Sequence, residues 1–256
     1  MSNPDSRSPA DPAFSVIIPT FNRAHVLTRA IDSVLGQSHG DFELLIVDDG
    51  SGDGTAQCIA SYRDARVRYI RHEQNRGQNT ALNTGIGAAR GAFVSFLDSD
   101  DEWDAAMLET VLAKFRSDEE LGWVYTAYRF QDAEGYVQGP LSGSVQGWAY
   151  AEALEQGHVS PPTTFSVRRT CFDLVGTFDP DNLFCNDDVM CLKLAKAFKV
   201  GRVAEVLATK HEDGGTQMSG NPVAVAADWD RLLLQFRADI VALCGRGTMA
   251  RHYAGS

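Results

Sequence analysis

The feature that most constrains the fold is an alternation of short apolar runs with helix-type stripes in the first half of the chain. Four apolar runs have the length of buried strands, and they cover residues 14–18, 42–47, 67–70 and 92–97. Apolar residues at the spacing of a helix face follow them, as in 27–35 and 107–115. Strands alternating with helices predict right-handed βαβ units, so we expect an α/β fold with a mostly parallel central sheet flanked by helices.

The second half of the chain has a less regular pattern. Its apolar runs predict strands over 123–130, 165–167 and 200–208, and helices over 148–158, 187–198 and 223–244. A Gly-rich connection is expected over 131–147. No linker-like composition divides the chain, so we predict a disordered lead over 1–13, one domain over 14–220, and a C-terminal helix and tail over 221–256.

The charge of the chain limits its partners. Acidic residues outnumber basic ones by 34 to 23, which gives a net charge of −11 at pH 7. Such a surface repels phosphate backbones, so we expect no nucleic-acid partner. An anionic small substrate stays compatible with this charge if a metal ion or an arginine cluster screens it.

The cysteine count and the apolar runs bear on location. The five cysteines include no Cys-x-x-Cys pair, which is typical of reduced thiols in a cytoplasmic protein. No stretch approaches the ~18 apolar residues of a membrane span, and residues 1–13 lack the apolar core of a signal peptide. We therefore expect a cytoplasmic protein without a transmembrane segment, and peripheral membrane contact stays open.

Polar residues follow three of the four predicted strands at the point where each strand ends. They are Pro19-Thr20-x-Asn22, Asp48-Asp49 and Asp98-x-Asp100. In open parallel sheets, ligands bind beyond the carboxyl ends of the strands. This coincidence is the main indication of a functional site.

The pair Asp98 and Asp100 is one of three Asp-x-Asp pairs, and context separates it from the others. Asp179-Pro180-Asp181 is typical of a turn, and the 228/230 pair falls in a helical stretch, where i and i+2 point apart. Only Asp98 and Asp100 follow a buried strand. Two carboxylates there suit Mg²⁺ or Mn²⁺, which keep positions open for phosphate oxygens. Capping of the following helix is the alternative.

Three further residues also have a structural alternative. Asp49 could accept a hydrogen bond from a base N–H, such as N3–H of uracil, or could only build a turn with Gly50. Arg76 could neutralise a diphosphate or be a solvated surface arginine. Asp187 could be a general base for an acceptor hydroxyl, or it could cap the helix that starts beside it.

Taken together, the motifs resemble the family 2 glycosyltransferases with the GT-A fold, over about residues 14–215. The resemblance is carried by the segments 15–22 (SVIIPTFN), 41–51 (DFELLIVDDGS), 53–55 (DGT), 75–77 (NRG), 83–85 (NTG), 91–101 (GAFVSFLDSDD) and 186–195 (NDDVMCLKLA). It implies a Rossmann-like half over 14–117 that binds the nucleotide-sugar and an acceptor-binding half over 118–220.

The resemblance also implies an activity and a set of roles. The activity is inverting, metal-dependent transfer of a sugar from a nucleoside-diphosphate donor, with UDP favoured, to a hydroxyl of a glycan or glycoconjugate. The donor-binding residues it implies are Pro19, Thr20, Asn22, Asp49, Arg76, Asn83, Asp98 and Ser99. It places Mn²⁺ or Mg²⁺ on Asp100 with His211, and the catalytic base on Asp187.

The chain also departs from the family pattern. Leu82 stands where the family usually has Arg, and Asn186 stands for the Glu of its Glu-Asp pair. Gln-x-x-Arg-Trp, typical of processive synthases, is absent, which favours a single addition. Two alternatives remain: an inactive nucleotide-sugar-binding protein, and a nucleotidyltransferase, which usually has a Gly-rich basic loop where this chain has Pro-Thr-Phe-Asn-Arg. A dinucleotide-binding Gly-x-Gly-x-x-Gly motif and a P-loop are both missing.

Overall fold

The computed structural model of the chain describes residues 11–182, 184–212, 222–248 and 252. The strands in these residues are β1 (Phe14–Thr20), β2 (Phe42–Asp48), β3 (Val67–Arg71), β4 (Phe93–Phe96), β5 (Glu102–Trp103), β6 (Leu121–Gln131), β7 (Val137–Leu141), β8 (Phe165–Arg168) and β9 (Lys199–His211). The α-helices there are α1 (Leu27–Leu35), α2 (Thr55–Ser61), α3 (Gln78–Ala88), α4 (Met107–Ser117), α5 (Tyr150–Gln156), α6 (Phe172–Val175), α7 (Asn186–Ala197) and α8 (Pro222–Leu243).

All the strands form one sheet in the order β3-β2-β1-β4-β8-β6-β9-β5, and β7 pairs with β6. The predicted α/β fold is confirmed. Parallel pairing holds among β3, β2, β1 and β4, as expected. Beyond β4 the pairs are antiparallel except β6 with β9, so the sheet as a whole is mixed, and the prediction of a mostly parallel sheet holds only for its first half.

Two strands fall where the sequence predicted none. β7 lies inside the expected 131–147 connection, and its residues are almost all exposed, so it lacks the alternation that marks a half-buried strand. β5 has two residues, too few for any pattern. The predicted disordered lead lies outside the described residues as far as residue 10, but Ala13 is buried and donates to the carbonyl of Asp41.

The hydrophobic core lies on both faces of the sheet. Alternate residues of β1 point to opposite sides: Val16 and Ile18 pack in the cluster that includes α1 and α4, and Ile17 packs in the cluster that includes α3, α5 and α7. Residues of α8 join the second cluster, which fixes this helix to the domain. No helix in the described ranges is long and apolar enough to cross a membrane.

Candidate active site

The loops that follow β1 and β2 are joined at the carboxyl edge of the sheet. The parallel register pairs Thr20 with Asp48, and beyond it the backbone N–H of Asn22 donates to Oγ of Ser51 at 2.9 Å. Oδ1 of Asn22 accepts from the backbone N–H of Gly52 at 2.8 Å. Asn22 itself has a left-handed φ of 53°, a conformation that asparagine tolerates better than most residues. The structure thus brings the first two predicted segments together.

The residues beside this junction are buried. Pro19 pairs with Val47 inside the parallel register. The hydroxyl of Thr20 is buried and has no hydrogen-bond partner within the described chain. Since buried polar groups normally have a partner, this hydroxyl fits contact with a bound ligand.

The two acids at the end of β2 have different surroundings. Asp48 is fully buried and accepts from the Tyr69 hydroxyl at 2.6 Å. Asp49 accepts from Nδ1 of His72 at 2.7 Å and from the backbone N–H groups of Arg76 at 2.9 Å and Gly77 at 2.8 Å. A carboxylate has about four acceptor positions, so a nucleobase N–H would be the fourth donor to Asp49. The same side chain therefore holds the loop that carries Arg76.

Arg76 follows β3 on this loop, and its side chain is exposed. Within the described residues no carboxylate pairs with its guanidinium. Its backbone is fixed by Asp49, so the cation is presented from an anchored loop. That arrangement suits an anionic ligand at the sheet edge.

Three aspartates follow β4, and two of them contact one lysine. Nζ of Lys210, on β9, lies 3.3 Å from Oδ2 of Asp98 and 3.1 Å from Oδ2 of Asp101. Asp100 has a weaker cationic neighbour, Nη2 of Arg23, at 3.7 Å. Ser99 is buried in the turn between them.

The electrostatics of this cluster show an excess of negative charge. Burial and then the Asp98 charge raise the pKa of Asp100. Burial raises the pKa of Asp101 to about 6, although Lys210 opposes the shift. Burial alone would lower the pKa of Lys210, but the carboxylates of Asp101 and Asp98 outweigh it and the pKa rises. An added cation at Asp100 would relieve the remaining repulsion.

His211 adds a nitrogen donor near this cluster. Its backbone N–H donates to Oδ1 of Asp101 at 3.1 Å. Its ring Nε2 is buried, and it lies 3.2 Å from Oε1 of Glu102 without the geometry of a hydrogen bond. The imidazole nitrogen has no hydrogen-bond partner within the described chain, and the Asp100 carboxylate has only a distant cation, so each group by its chemistry could ligate Mn²⁺ or Mg²⁺.

A second acidic cluster surrounds the start of α7. His158, Asp187 and Asp188 place one ligand atom each within 4.8 Å of one another, the one such group of three His, Cys, Asp or Glu residues in the described ranges. Nδ1 of His158 lies 2.6 Å from Oδ1 of Asp188. The hydrogen bond to Asp188 raises the pKa of His158 to about 9. Asp100 and His211 belong to no such group among the described residues.

Asp187 makes no capping bond to α7, and its pKa is raised. Burial and the neighbouring Asp188 raise its pKa to about 7, while the His158 charge opposes the shift. The residue at the N-cap position is Cys185, with no side-chain capping bond. Among the described residues, Oδ1 of Asp187 accepts from the adjacent N–H of Asp188, at 3.1 Å, and from no other donor, whereas a capping side chain bonds the N–H two or three residues further along the chain.

Asn83, which was predicted to contact the donor, is hydrogen-bonded to the protein backbone. Both amide groups of Asn83 are bonded to the backbone of Phe178: Nδ2 donates to its carbonyl at 2.8 Å and Oδ1 accepts from its N–H at 2.9 Å. The Asn83 amide thus serves the fold by holding Phe178, and its role as a donor contact stays a prediction. Asn79, four residues earlier, bonds in the same way to the carbonyl of Asp179 at 2.6 Å and to the side chain of Asn186.

Asn79 is a residue near the site that the motifs did not indicate, whereas Asn83 was predicted. Asn79 and Asn83 lie on one face of α3 at i, i+4 spacing, a signal that could have been used, and they attach the segment before α7.

Tyr128, on β6, is a second residue near the site that the motifs did not indicate. Burial raises the pKa of its hydroxyl, and Lys210, Asp187 and Asp101 all act on it electrostatically. Lys210 and His158 carried no sequence signal.

Comparison with known proteins identifies the family of the chain. Residues 15–170 match the model of Glycosyl transferase family 2. The chain belongs to this family. An uncharacterized glycosyltransferase of Rickettsia felis is 33% identical over 216 residues, which are 83% of the chain and 35% of that relative. The chain thus spans 35% of the relative's length.

Solved structures of glycosyltransferases share the fold of this family 2 member. TarS of S. aureus in complex with UDP-GlcNAc superposes with a TM-score of 0.72 at 21% identity, covering 87% of this chain and 66% of that one. The mannosyltransferase PcManGT from Pyrobaculum calidifontis, in complex with GDP-Man and Mn²⁺, gives a TM-score of 0.61 at 20% identity, covering 84% and 60%. At these identities the likeness shows the GT-A fold.

Proposed function

We propose that this chain transfers a sugar from a UDP-linked donor to a hydroxyl of a glycan or glycoconjugate, with inversion at the anomeric carbon and one addition per event. One observation carries the proposal. Consecutive residues at the start of α3 reach both groups: Nε2 of Gln78 donates to Oδ1 of Asp98 at 3.3 Å, and Oδ1 of Asn79 accepts from Nδ2 of Asn186, the residue before Asp187. The acidic cluster after β4 and the candidate base therefore lie on either side of one helix start. Donor activation and acceptor deprotonation need that proximity.

In this proposal the nucleotide-sugar donor binds at the carboxyl edge of the sheet. Pro19, Thr20 and Asn22 border the nucleoside, and the orphaned Thr20 hydroxyl supports a contact there. Asp49 receives the base N–H at its remaining acceptor position. Asp98 and Ser99 border the ribose, and the unpaired Arg76 guanidinium faces the diphosphate. TarS, a structural neighbour, binds UDP-GlcNAc, which supports UDP as the carrier.

The metal belongs to the same proposal. Asp100 and His211 would hold Mn²⁺ or Mg²⁺, since their donor atoms lack strong protein partners. When bound, the ion offsets the negative charge that develops on the departing diphosphate. PcManGT carries Mn²⁺ in its complex with GDP-Man, which supports this choice of metal.

The proton of the acceptor hydroxyl is taken up by a residue at the start of α7. Asp187 accepts the proton of the acceptor hydroxyl as its oxygen bonds to the anomeric carbon. The bond from that carbon to the diphosphate oxygen breaks on the opposite face, and its electron pair leaves with the nucleoside diphosphate. His158 bonds the carboxylate of Asp188, so the proposal assigns the proton to Asp187. The Asn79–Asn186 bond positions the start of α7.

The experiment has two stages. A thermal-shift panel of nucleoside diphosphates and sugar nucleotides, with and without Mn²⁺, identifies the donor, because a ligand of the native state raises the melting temperature. Release of UDP from the best donor is then measured with a set of glycan acceptors. Binding without release indicates a nucleotide-sugar-binding protein, and release of pyrophosphate from a nucleoside triphosphate and a sugar phosphate indicates a nucleotidyltransferase.

A further inference from the structure

Lys210 occupies an unexpected position between the carboxylates after β4. We propose that Lys210 is a resident cation of the donor site: it competes with the divalent metal for the carboxylate cluster, and it supplies a positive charge to the nucleoside diphosphate when no metal is bound. This inference rests on the proposed function, because it assumes that the cluster serves a donor diphosphate. It adds a binding residue that neither the motifs nor the comparisons assign.

The Lys210 side chain is part of the cluster, because it contacts two of the carboxylates directly. The Lys210 ammonium reaches Asp98 and Asp101 at 3.3 and 3.1 Å. Asp101 is 1% exposed, and it also accepts from the Thr163 hydroxyl at 2.5 Å and from the His211 backbone. A buried carboxylate needs a countercharge. Lys210 is that countercharge, and it is shared with Asp98, the first acid of the Asp-x-Asp pair.

Competition with a metal follows from the distances. A divalent ion binds carboxylate oxygens at about 2.0–2.2 Å, so an ion on Asp98 or Asp100 would lie close to the ammonium that already contacts Asp98. Two like charges at that separation repel each other strongly where solvent screening is weak. Lys210 therefore weakens metal binding at this cluster and reduces the number of carboxylates open to the ion.

The same charge favours the diphosphate. Without a metal, three carboxylates would repel an anionic ligand, and Lys210 neutralises part of that field beside them. Arg76, whose guanidinium has no carboxylate partner in the described chain, is a second cation at this edge. We therefore expect UDP to bind measurably in chelator and to bind more tightly when Mn²⁺ is added.

The test measures Mn²⁺ binding by electron paramagnetic resonance and UDP binding by calorimetry in chelator. Lys210→Met should bind Mn²⁺ about tenfold more tightly, since a repelling charge is gone. It should bind UDP without metal about fivefold more weakly. Lys199→Met is the matched control: Lys199 starts the same strand and pairs with Asp118 at 2.5 Å, and its loss should change neither value.

The outcomes separate this inference from the proposed function. If the unaltered protein binds neither Mn²⁺ nor UDP, the proposed function fails. If it binds both and Lys210→Met binds Mn²⁺ with unchanged or lower affinity, the resident-cation inference is overturned. Should Lys210→Met not fold, Lys210→Gln keeps hydrogen-bond donors for both carboxylates and removes the charge, so the same comparison applies to it.

Discussion

The imidazole of His158 bonds the carboxylate of Asp188, with Nδ1 2.6 Å from Oδ1. This pairing divides the two adjacent acids at the start of α7 into different roles. Asp188 is buried and engaged, whereas Asp187 is half-buried and has no side-chain partner among the described residues. We therefore expect Asp187, rather than Asp188, to take the proton from an acceptor.

Replacing Asp187 by Asn should abolish transfer and spare binding. The amide keeps the shape of the side chain and cannot accept a proton, so turnover should fall by at least about a hundredfold. UDP affinity in Mn²⁺ should stay within about twofold, because no donor-binding group changes. Turnover and calorimetric affinity are measured on the same preparation.

Asp188→Asn is the matched control for that experiment. It weakens the bond to His158 and should reduce turnover less than Asp187→Asn does. An inactive Asp188→Asn beside an active Asp187→Asn would assign the base to Asp188. Normal turnover in both variants would place the base elsewhere.

The pH dependence of turnover should report Asp187. Its pKa is raised to about 7 by burial and Asp188, and the base must be ionised, so turnover should rise as pH increases through about 7. The His158 charge opposes that rise in pKa. His158→Gln should therefore move the midpoint of the profile upward, and the exposed His25→Gln should leave it in place. A midpoint unchanged by His158→Gln contradicts the assignment.

Asn83→Ala tests whether this side chain serves the fold or the donor. The variant leaves the N–H and carbonyl of Phe178 without partners, so the free energy of unfolding should fall by about 2 kcal/mol. UDP affinity should be unchanged. Urea unfolding and calorimetry give the two values, and Gln57→Ala, on an exposed face of α2, is the control. Weakened UDP binding at normal stability would support the donor-contact hypothesis.

Asp100 should account for the effect of metal on donor binding. Calorimetry should show UDP binding more tightly with Mn²⁺ than with chelator, since the ion screens an acidic cluster. Asp100→Asn should remove most of that difference, because it deletes the carboxylate least neutralised by protein cations. Asp230→Asn, from another Asp-x-Asp pair and exposed on α8, should not. Equal UDP affinity with and without Mn²⁺ in the unaltered protein would exclude metal dependence.

The local pattern predicted the elements of the first half with bounds close to those observed. Buried strands such as β1 and amphipathic helices such as α1 carry their own signal, since each residue's burial follows from its position in the repeat. The polar ends of β1, β2 and β4 could be placed together because parallel strands bring their carboxyl ends to one edge. Strand β7 could not be predicted from the sequence, because an exposed edge strand has no buried face and therefore no alternation of apolar and polar residues.

The sequence by itself therefore determined the family, the α/β architecture and the carboxylates after β2 and β4, because those depend on contiguous residues. Tertiary structure alone decided which partners each group has. Lys210 meets Asp98 across 112 positions and His158 meets Asp188 across 30, and Asn83 is bonded to Phe178 across 95. These contacts depend on how β9, α3 and the segment after α5 pack in the fold. The spacing of residues along the sequence does not determine that packing.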